Sequence, residues 1–322
     1  MRDSTRPLPS WLLTELKHPP QAGRHQWLFR TALKLLRYRD EYVTMDLLGS
    51  AAMRVGRYVP VRELREAVRN AGHRIQGGSL QKLQQERLRW PKPNLDEIDG
   101  VVRSGHRHGE LWDLSPERLS VEQRHTETVI DLLYPGNPLL CCGLESWRFA
   151  TRRREVWRGR LHTLPLIVPN PMRVVWGRTD DGQGRWSQHA LSNTGPRRFL
   201  VVEFDFTKVA CDGLTPTIWA PLISGWEQVG ITVADACTAL LMHLSKTGPL
   251  VLIINSAGKS LHGWFPCQGT DERRLRRWMR RAVRLGACQS TWCRSQFVRI
   301  PDGTRSHSGY RQVIEYFNPN VL

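Results

Sequence analysis

The sequence predicts an α+β protein in which a small all-α module precedes a domain built on a mostly antiparallel sheet. Apolar positions recur at helical spacing through the first 75 residues, and after residue 132 short strand-like runs follow one another with few helices between them. The length of 322 residues allows about two domains, and an apolar fraction of 40% is that of a folded chain. We therefore assign a helical module to residues 1–76, a connector to 77–131 and the main domain to 132–322.

Two helices are predicted within the helical module. The run GRHQWLFRTALKLLRY places one apolar stripe along a helix, made of Leu28, Ala32, Leu35 and Leu36. A second helix over 61–71 follows Pro60 and stops at Gly72, and its apolar face carries Leu64, Val68 and Ala71.

The connector and the main domain differ in how Gly and Pro residues interrupt their apolar runs. Residues 77–121 are polar and broken by Gly and Pro, with only a short helical patch in SLQKLQQERL, so we expect a loosely packed linker. In the main domain we predict strands in LPLIVPNPMRVVWG, RRFLVVEFDF, GPLVLIINSAG, KSLHGWFP, SQFVRIP and RQVIEYFN. Helices are expected between residues 224 and 245 and between 271 and 285.

The charge of the chain points to a polyanionic partner. Lys and Arg number 47 against 30 Asp and Glu, which gives a formal charge of +17. The charge is Arg-rich and interspersed with 13 Trp, a composition that suits phosphates and bases better than a membrane surface. Seven Cys without CxxC spacing argue against a disulfide framework and a zinc knuckle. No apolar run approaches the roughly 18 residues of a membrane span, so we expect a cytoplasmic protein that does not bind membranes.

The strand LVVEFDF carries the first candidate site. Strand alternation puts Glu203 and Asp205 on one face and the apolar residues of the strand on the other. Two neighbouring carboxylates repel each other unless a cation lies between them, and their hard oxygens suit Mg²⁺ or Mn²⁺. The alternative is an edge strand with a solvated acidic face.

The segment LVLIINSAGKSLHGWF carries the second candidate site. An apolar strand ends in the small-residue turn Ser256-Ala257-Gly258, and the next strand begins with Lys259, Ser260 and His262. Exposed backbone N–H groups and side-chain donors of this kind bind phosphates, which predicts a triphosphate pocket. The alternative for His262 is an ordinary core or surface histidine.

The order of VVEFDF, NSAGKSLHGWF and SQFVRIPDGTR resembles the archaeo-eukaryotic primase superfamily, the primase-polymerases, over about residues 135 to 319. The resemblance implies an RRM-like palm, catalysis by Glu203, Asp205 and His262, and nucleotide binding by Lys259, Ser260, His262 and Arg299. It also implies that Glu203 and Asp205 hold Mg²⁺ or Mn²⁺ with a third acid. No acid stands just upstream of Arg299, where Cys288 and Gln296 are found, so Asp302 is the candidate for that role.

The N-terminal part resembles, less specifically, the helical modules that accompany primases on plasmids, phages and other mobile elements, on the pieces GRHQWLFRTALKLL and VPVRELREAV. Helical modules of this size bind template, set primer length or hold a partner protein. The residues leave these alternatives open.

Two basic runs are candidates for the nucleic-acid path. In TDERRLRRWMRRAVRLG an apolar helical stripe of Leu275, Trp278, Met279, Ala282 and Val283 opposes an Arg-rich face, from which we select Arg277, Arg281 and Arg284. The run RFATRRREVWRGR adds Arg152, Arg153 and Arg154. The alternative for either run is a solvated charged face.

These observations predict a nucleotidyltransferase that copies a single-stranded DNA template from nucleoside triphosphates with two divalent metals, as a primase or primase-polymerase of a mobile element. One rival is a catalytically impaired nucleic-acid-binding or replication-initiation module of the same fold. A second rival is a metal-dependent nuclease, although a nuclease needs no triphosphate pocket. The sequence has no P-loop, so helicase activity would have to come from another chain.

Overall fold

A computed structural model describes residues 7–20, 24–39, 41–54, 59–72, 90–179, 185–207, 216–257, 260–306 and 308–322. The chain divides into two compact units. Unit 1 comprises Met1–Arg89 with Asp180–Gly184, and unit 2 comprises Trp90–Thr179 with Arg185–Leu322. The predicted helical patch SLQKLQQERL lies outside the described residues.

Unit 1 is helical in its described part. Its helices are α1 (Ser10–Lys17), α2 (Arg24–Leu35), α3 (Glu41–Met53) and α4 (61–72). Both predicted helices are confirmed, and their apolar faces are buried in one core that contains Leu28, Ala32, Leu35, Leu36, Leu64, Val68 and Ala71. The spacing of apolar residues was sufficient to predict these two helices because each helix buries a single apolar stripe.

Unit 2 begins with helices in the region where the sequence suggested a linker. The structure places α5 at Leu95–Ser104, α6 at Leu111–Leu114 and α7 at Thr126–Leu133. Ile98, Val102 and Leu111 are buried in the core of unit 2. The connector predicted over 77–131 therefore differs from the structure from Trp90 onward. The Pro and Gly residues separate short packed helices there instead of marking a loose segment.

The rest of unit 2 alternates strands and helices. In chain order these are β1 (Leu139–Glu145), β2 (Arg148–Arg153), α8 (Arg154–Trp157), β3 (Leu166–Ile167), β4 (Gly177–Arg178), β5 (Trp186–Ser187), β6 (Phe199–Asp205), α9 (Ala220–Gln228), α10 (Val233–Ser245), β7 (Leu252–Asn255), β8 (Ser260–Pro266), α11 (Glu272–Arg284), β9 (Val298–Arg299) and β10 (Ile314–Phe317). Short 3-10 turns lie at His108–Glu110, Leu161–Thr163, Gln289–Trp292 and Pro319–Val321.

In the described part of the chain the strands form two four-stranded antiparallel sheets and one two-stranded ribbon. The strand orders are β2-β1-β3-β9 and β10-β7-β8-β6, and β4 pairs with β5. This confirms the predicted α+β class with antiparallel pairing. The β1–β2 hairpin was not predicted, because its Arg-rich second strand lacks an apolar alternation.

The sheet β10-β7-β8-β6 is covered on both faces. Leu200, Val202 and Phe204 of β6 pack against the helices α5, α9, α10 and α11. On the other face, Val201 and Trp264 join a second core with residues from β1, β3 and β9. The outward-pointing polar residues of β6 and β8 therefore lie on the side that faces the other four-stranded sheet.

The turn that follows β9 requires a glycine. Asp302 has a φ of 58°. A Cβ on the next residue, Gly303, would lie 2.2 Å from the carbonyl oxygen of Leu164. The contact is with backbone, so no side chain at position 303 fits without moving the chain.

Candidate functional site

Strands β6 and β8 bring the two sequence motifs together. They pair antiparallel, with Glu203 opposite His262 and Asp205 opposite Ser260. Residues directly opposite each other on paired strands point to the same face of the sheet. The acidic motif and the Ser-x-His motif, 57 residues apart in sequence, thus form one cluster on the face turned toward the other sheet.

Glu203 is the centre of this cluster. The Oγ of Ser260 donates to Oε1 of Glu203 at 3.1 Å, and Nε2 of His262 lies 3.2 Å from the same oxygen. A further hydrogen bond of 3.0 Å joins the hydroxyls of Ser260 and Ser256. Among the described residues, both side-chain contacts of Glu203 involve Oε1, which leaves the lone pairs of Oε2 for a cation.

The electrostatics keep Glu203 ionised. Burial alone raises the pKa of its carboxyl, but contact with His262, the charge of that ring, the Ser260 hydrogen bond and the charge of Arg299 together lower the pKa to about 2. A largely buried carboxylate that is held in its charged form is a suitable ligand for a cation.

His262 is buried and incompletely paired. Its exposed fraction is 4%, and neither ring nitrogen makes a well-aligned hydrogen bond to the residues that the structure describes. Buried polar groups are normally satisfied, so this imidazole, which contacts Glu203 through Nε2 only, has capacity for a further partner.

Arginines border the cluster. Arg299, at the end of β9, is half-buried, and burial together with the charge of Arg305 lowers its pKa while Glu203 and Glu145 oppose that shift. Arg305 donates to the carbonyl oxygen of Ala257 at 3.0 Å. The sequence analysis missed Arg305, although it lies only six residues beyond Arg299 in the same run.

The predicted phosphate-binding turn is described in part. Ala257 has a φ of 56°, and its N–H donates to Oδ1 of Asn255 at 3.0 Å. Lys259, predicted to bind nucleotide, and Gly258 lie outside the described residues.

Asp302 does not join the cluster, which corrects the prediction that it is the third metal ligand. Its side chain is fully buried, and both carboxylate oxygens are engaged by Arg311. The N–H of His125 donates to Oδ2 at 2.6 Å, and Arg124 and Thr126 donate to the backbone carbonyl of Asp302. These partners saturate the carboxylate and give it a structural role.

The structure separates the three arginines predicted on RFATRRREVWRGR. Arg152 and Arg153 lie exposed on β2, and the Arg152 guanidinium lies 5.6 Å from the Trp157 ring. Arg154 is 2% exposed and forms ion pairs with Glu127 at 2.6 Å and Asp131 at 2.8 Å. Arg154 is therefore a structural residue, and its predicted contact with nucleic acid is wrong.

The Arg-rich helix α11 follows the prediction closely. The stripe of Leu275, Met279, Ala282 and Val283 is buried, and Asp271 caps the helix by accepting from the N–H of Arg274. Arg277 is exposed. Arg281 lies 3.1 Å from Nε2 of His243, and Arg284 donates to Glu97 at 2.9 Å. Arg284 is thus partly neutralised.

The fit of a divalent cation rests on two carboxylates. Within the described residues no group of three or more His, Cys, Asp or Glu side chains could hold a metal ion. Mg²⁺ usually takes only one or two protein carboxylates and completes its shell with water and substrate phosphates. Glu203 and Asp205, on one face beside donors for phosphate, fit that pattern.

Comparisons of the chain with protein-family models, with curated proteins and with solved structures found no match. Across the described part of the chain, no helix has the length and apolar character needed to cross a membrane.

Proposed function

We propose that this protein is a template-dependent nucleotidyltransferase, a primase or primase-polymerase that joins nucleoside triphosphates on a single-stranded DNA template. The observation that carries the proposal is the cluster in which the ionised Glu203 accepts a hydrogen bond from Ser260 and lies 3.2 Å from the buried imidazole of His262 on the paired strand. Carboxylates for Mg²⁺ or Mn²⁺ and cationic donors for phosphate thus meet on one face. The resemblance of these motifs to primase-polymerases supports the same reaction.

Each residue has a role in this mechanism. Glu203 and Asp205 would hold the metals, which when bound would lower the pKa of the attacking hydroxyl and neutralise the triphosphate and pyrophosphate. Arg299, Ser260 and the imidazole of His262 would orient the phosphates for attack on the α-phosphate.

We place the activity in the replication of a plasmid, phage or other mobile element. The helical module of unit 1 supports this setting through its resemblance to modules that accompany such primases. A helicase would act from another chain, since the sequence carries no P-loop.

A second candidate is a nucleic-acid-binding or replication-initiation module without catalysis. It is favoured by the state of Asp302, which Arg311 and the His125 N–H saturate, so that the third acid of a primase-polymerase has no counterpart at that position.

The test is incubation with single-stranded DNA, labelled ribo- or deoxynucleoside triphosphates and Mn²⁺ or Mg²⁺, with and without a primer. We expect labelled product from the wild type and none from Glu203→Gln, with Glu122→Gln as an exposed control that keeps activity. His262→Ala should raise the nucleotide concentration needed for half-maximal rate with little change in template affinity. A wild-type protein that binds template but forms no product under any of these conditions would establish the second candidate instead.

A further inference from the structure

The ribbon of β4 and β5 presents an aromatic and basic face that the nucleotide-transfer site does not use. Arg178 and Trp186 are directly opposite each other across the two strands, with the guanidinium 5.2 Å from the ring. Trp176 directly precedes β4 in the chain. Trp176 is 51% exposed and Trp186 is 64% exposed. The ribbon and the residue before it therefore carry two exposed Trp side chains, one of which lies against a guanidinium.

The back of the ribbon is fixed to the rest of unit 2. A Cβ on Gly177 would lie 2.7 Å from Cβ of Asn193, which shows how closely the ribbon approaches this residue. Asn193 is fully buried and donates to the carbonyl of Val175 at 3.1 Å. Just beyond β5, Gln188 is hydrogen-bonded twice to Thr151 of β2. These contacts hold the ribbon that carries the Trp side chains in place next to β2.

We propose that this face, made of Trp176, Arg178 and Trp186, binds single-stranded nucleic acid by stacking bases on the Trp rings while Arg178 contacts phosphate. Single exposed apolar side chains are common on protein surfaces, but a Trp paired with a cation, with a second exposed Trp two residues from that cation in the chain, offers the stacking and charge contacts that single strands use. The charge of +17 is complementary to a polyanion. A duplex, whose bases are already stacked on each other, would find no free base for these rings.

The neighbouring strand extends this surface. Arg152 and Arg153 are exposed on β2, which Thr151 joins to Gln188 beyond β5. A nucleic-acid strand that lies on the ribbon can therefore extend toward Arg152 and Arg153, whose guanidinium groups would contact further phosphates. The ribbon lies outside the Glu203 cluster, so binding and nucleotide transfer are separable by mutation.

The test measures the affinity of the full chain for fluorescent oligo-dT and for a duplex of equal length. We expect Trp176→Ala and Trp186→Ala each to weaken oligo-dT binding by about tenfold, as loss of one stacked base does, and the pair Trp176→Phe with Trp186→Phe to retain most of the affinity. Trp112→Ala, at a Trp that is 43% exposed on α6, is the matched control. Arg178→Gln should lower the slope of log affinity against log salt by about 0.7.

Unchanged oligo-dT affinity in the double Ala variant would overturn the inference, and so would equal losses in the Phe and Ala pairs. A change in self-association, measured by sedimentation, without a change in DNA binding would assign the face to a protein contact and overturn the inference as well.

Quenching of Trp fluorescence by oligo-dT should fall in the double Phe variant, which keeps the test independent of any folding defect in the Ala variants. Loss of product from Glu203→Gln with binding intact would leave this inference standing, so the two proposals fail separately.

Discussion

Glu203 in the β6–β8 cluster and Asp302 in the turn after β9 are acids of the same unit in different surroundings. Glu203 contacts a hydroxyl and an imidazole through one oxygen, whereas Asp302 is bound on both oxygens by a guanidinium and a backbone N–H. A carboxylate beside neutral or titratable partners keeps room for a cation, and one neutralised by a permanent cation does not. The partners of an acid, more than its burial, decide whether it can act in a site.

The largest expected effect comes from removing Asp205, the exposed acid of the β6–β8 cluster. We expect Asp205→Ala to lower nucleotide incorporation by about 10³-fold, because several kcal/mol of charge stabilisation by a metal would be lost. Template affinity should stay the same or rise slightly, since a negative charge is removed. Asp113→Ala, at an exposed acid paired with Arg118, is the control. An active Asp205→Ala enzyme would remove the basis of the proposed mechanism.

On the other side of the comparison, Asp302→Ala should act on stability. Removing one partner of a buried ion pair typically costs about 3–5 kcal/mol, and here it would also leave the His125 N–H without its acceptor. Urea unfolding followed by circular dichroism measures this loss. The Asp113→Ala control should change the free energy of unfolding by less than about 1 kcal/mol, since its pair is exposed. An Asp302→Ala variant that is stable but inactive would contradict the structural role and support Asp302 as a residue of the nucleotide-transfer site.

The pH dependence of stability distinguishes Glu203 from an ordinary surface acid. Its pKa is lowered from 4.5 to about 2 in the folded protein, so its contribution is complete above pH 4.5 and is lost as the pH falls toward 2. The contribution is at most about 3 kcal/mol. Glu203→Gln should therefore unfold more easily than the wild type at pH 6 and equally at pH 2. Parallel stability curves for the two proteins over this range would contradict the assignment, and Glu122→Gln should give a curve like the wild type.

The smallest expected effects are on template affinity and concern the arginines of α11. Here too, a residue held in an ion pair differs from one that is not. Arg277 forms no ion pair with the described residues, whereas Arg284 is bonded to Glu97. Arg277→Gln should lower the slope of log template affinity against log salt by about 0.7 for a single strand, and Arg284→Gln should lower it less. Equal slopes for Arg277→Gln and the wild type would show that this face is only solvated.

Local pattern predicted the parts of the fold in which each element buries one face. The stripe of α11, the helices at 24–35 and 61–72, and the alternation on β6 that places Glu203 and Asp205 together all follow from the spacing of apolar residues. The β6–β8 register was not predicted, because alternation fixes the face of each side chain but not which residues of the two strands are opposite each other.

The missed features depend on partners distant in sequence. Asp302 is bound by the N–H of His125, 177 residues earlier in the chain, and Arg154 is paired with Glu127 and Asp131 of α7. A charged residue in a basic run or a turn has the same local pattern whether it is solvated or buried in an ion pair. The burial of α5 likewise depends on a core whose other residues lie mostly after residue 199.

The turn at Asp302 and Gly303 has a consequence for how relatives of this chain would vary. Its glycine fits against the Leu164 carbonyl, and its acid holds Arg311, so both residues serve the architecture that joins β9 to β10. If the proposed nucleotide transfer were lost, catalysis would no longer constrain Glu203 and Asp205, whereas the contacts of Asp302 and Gly303 would still constrain this turn.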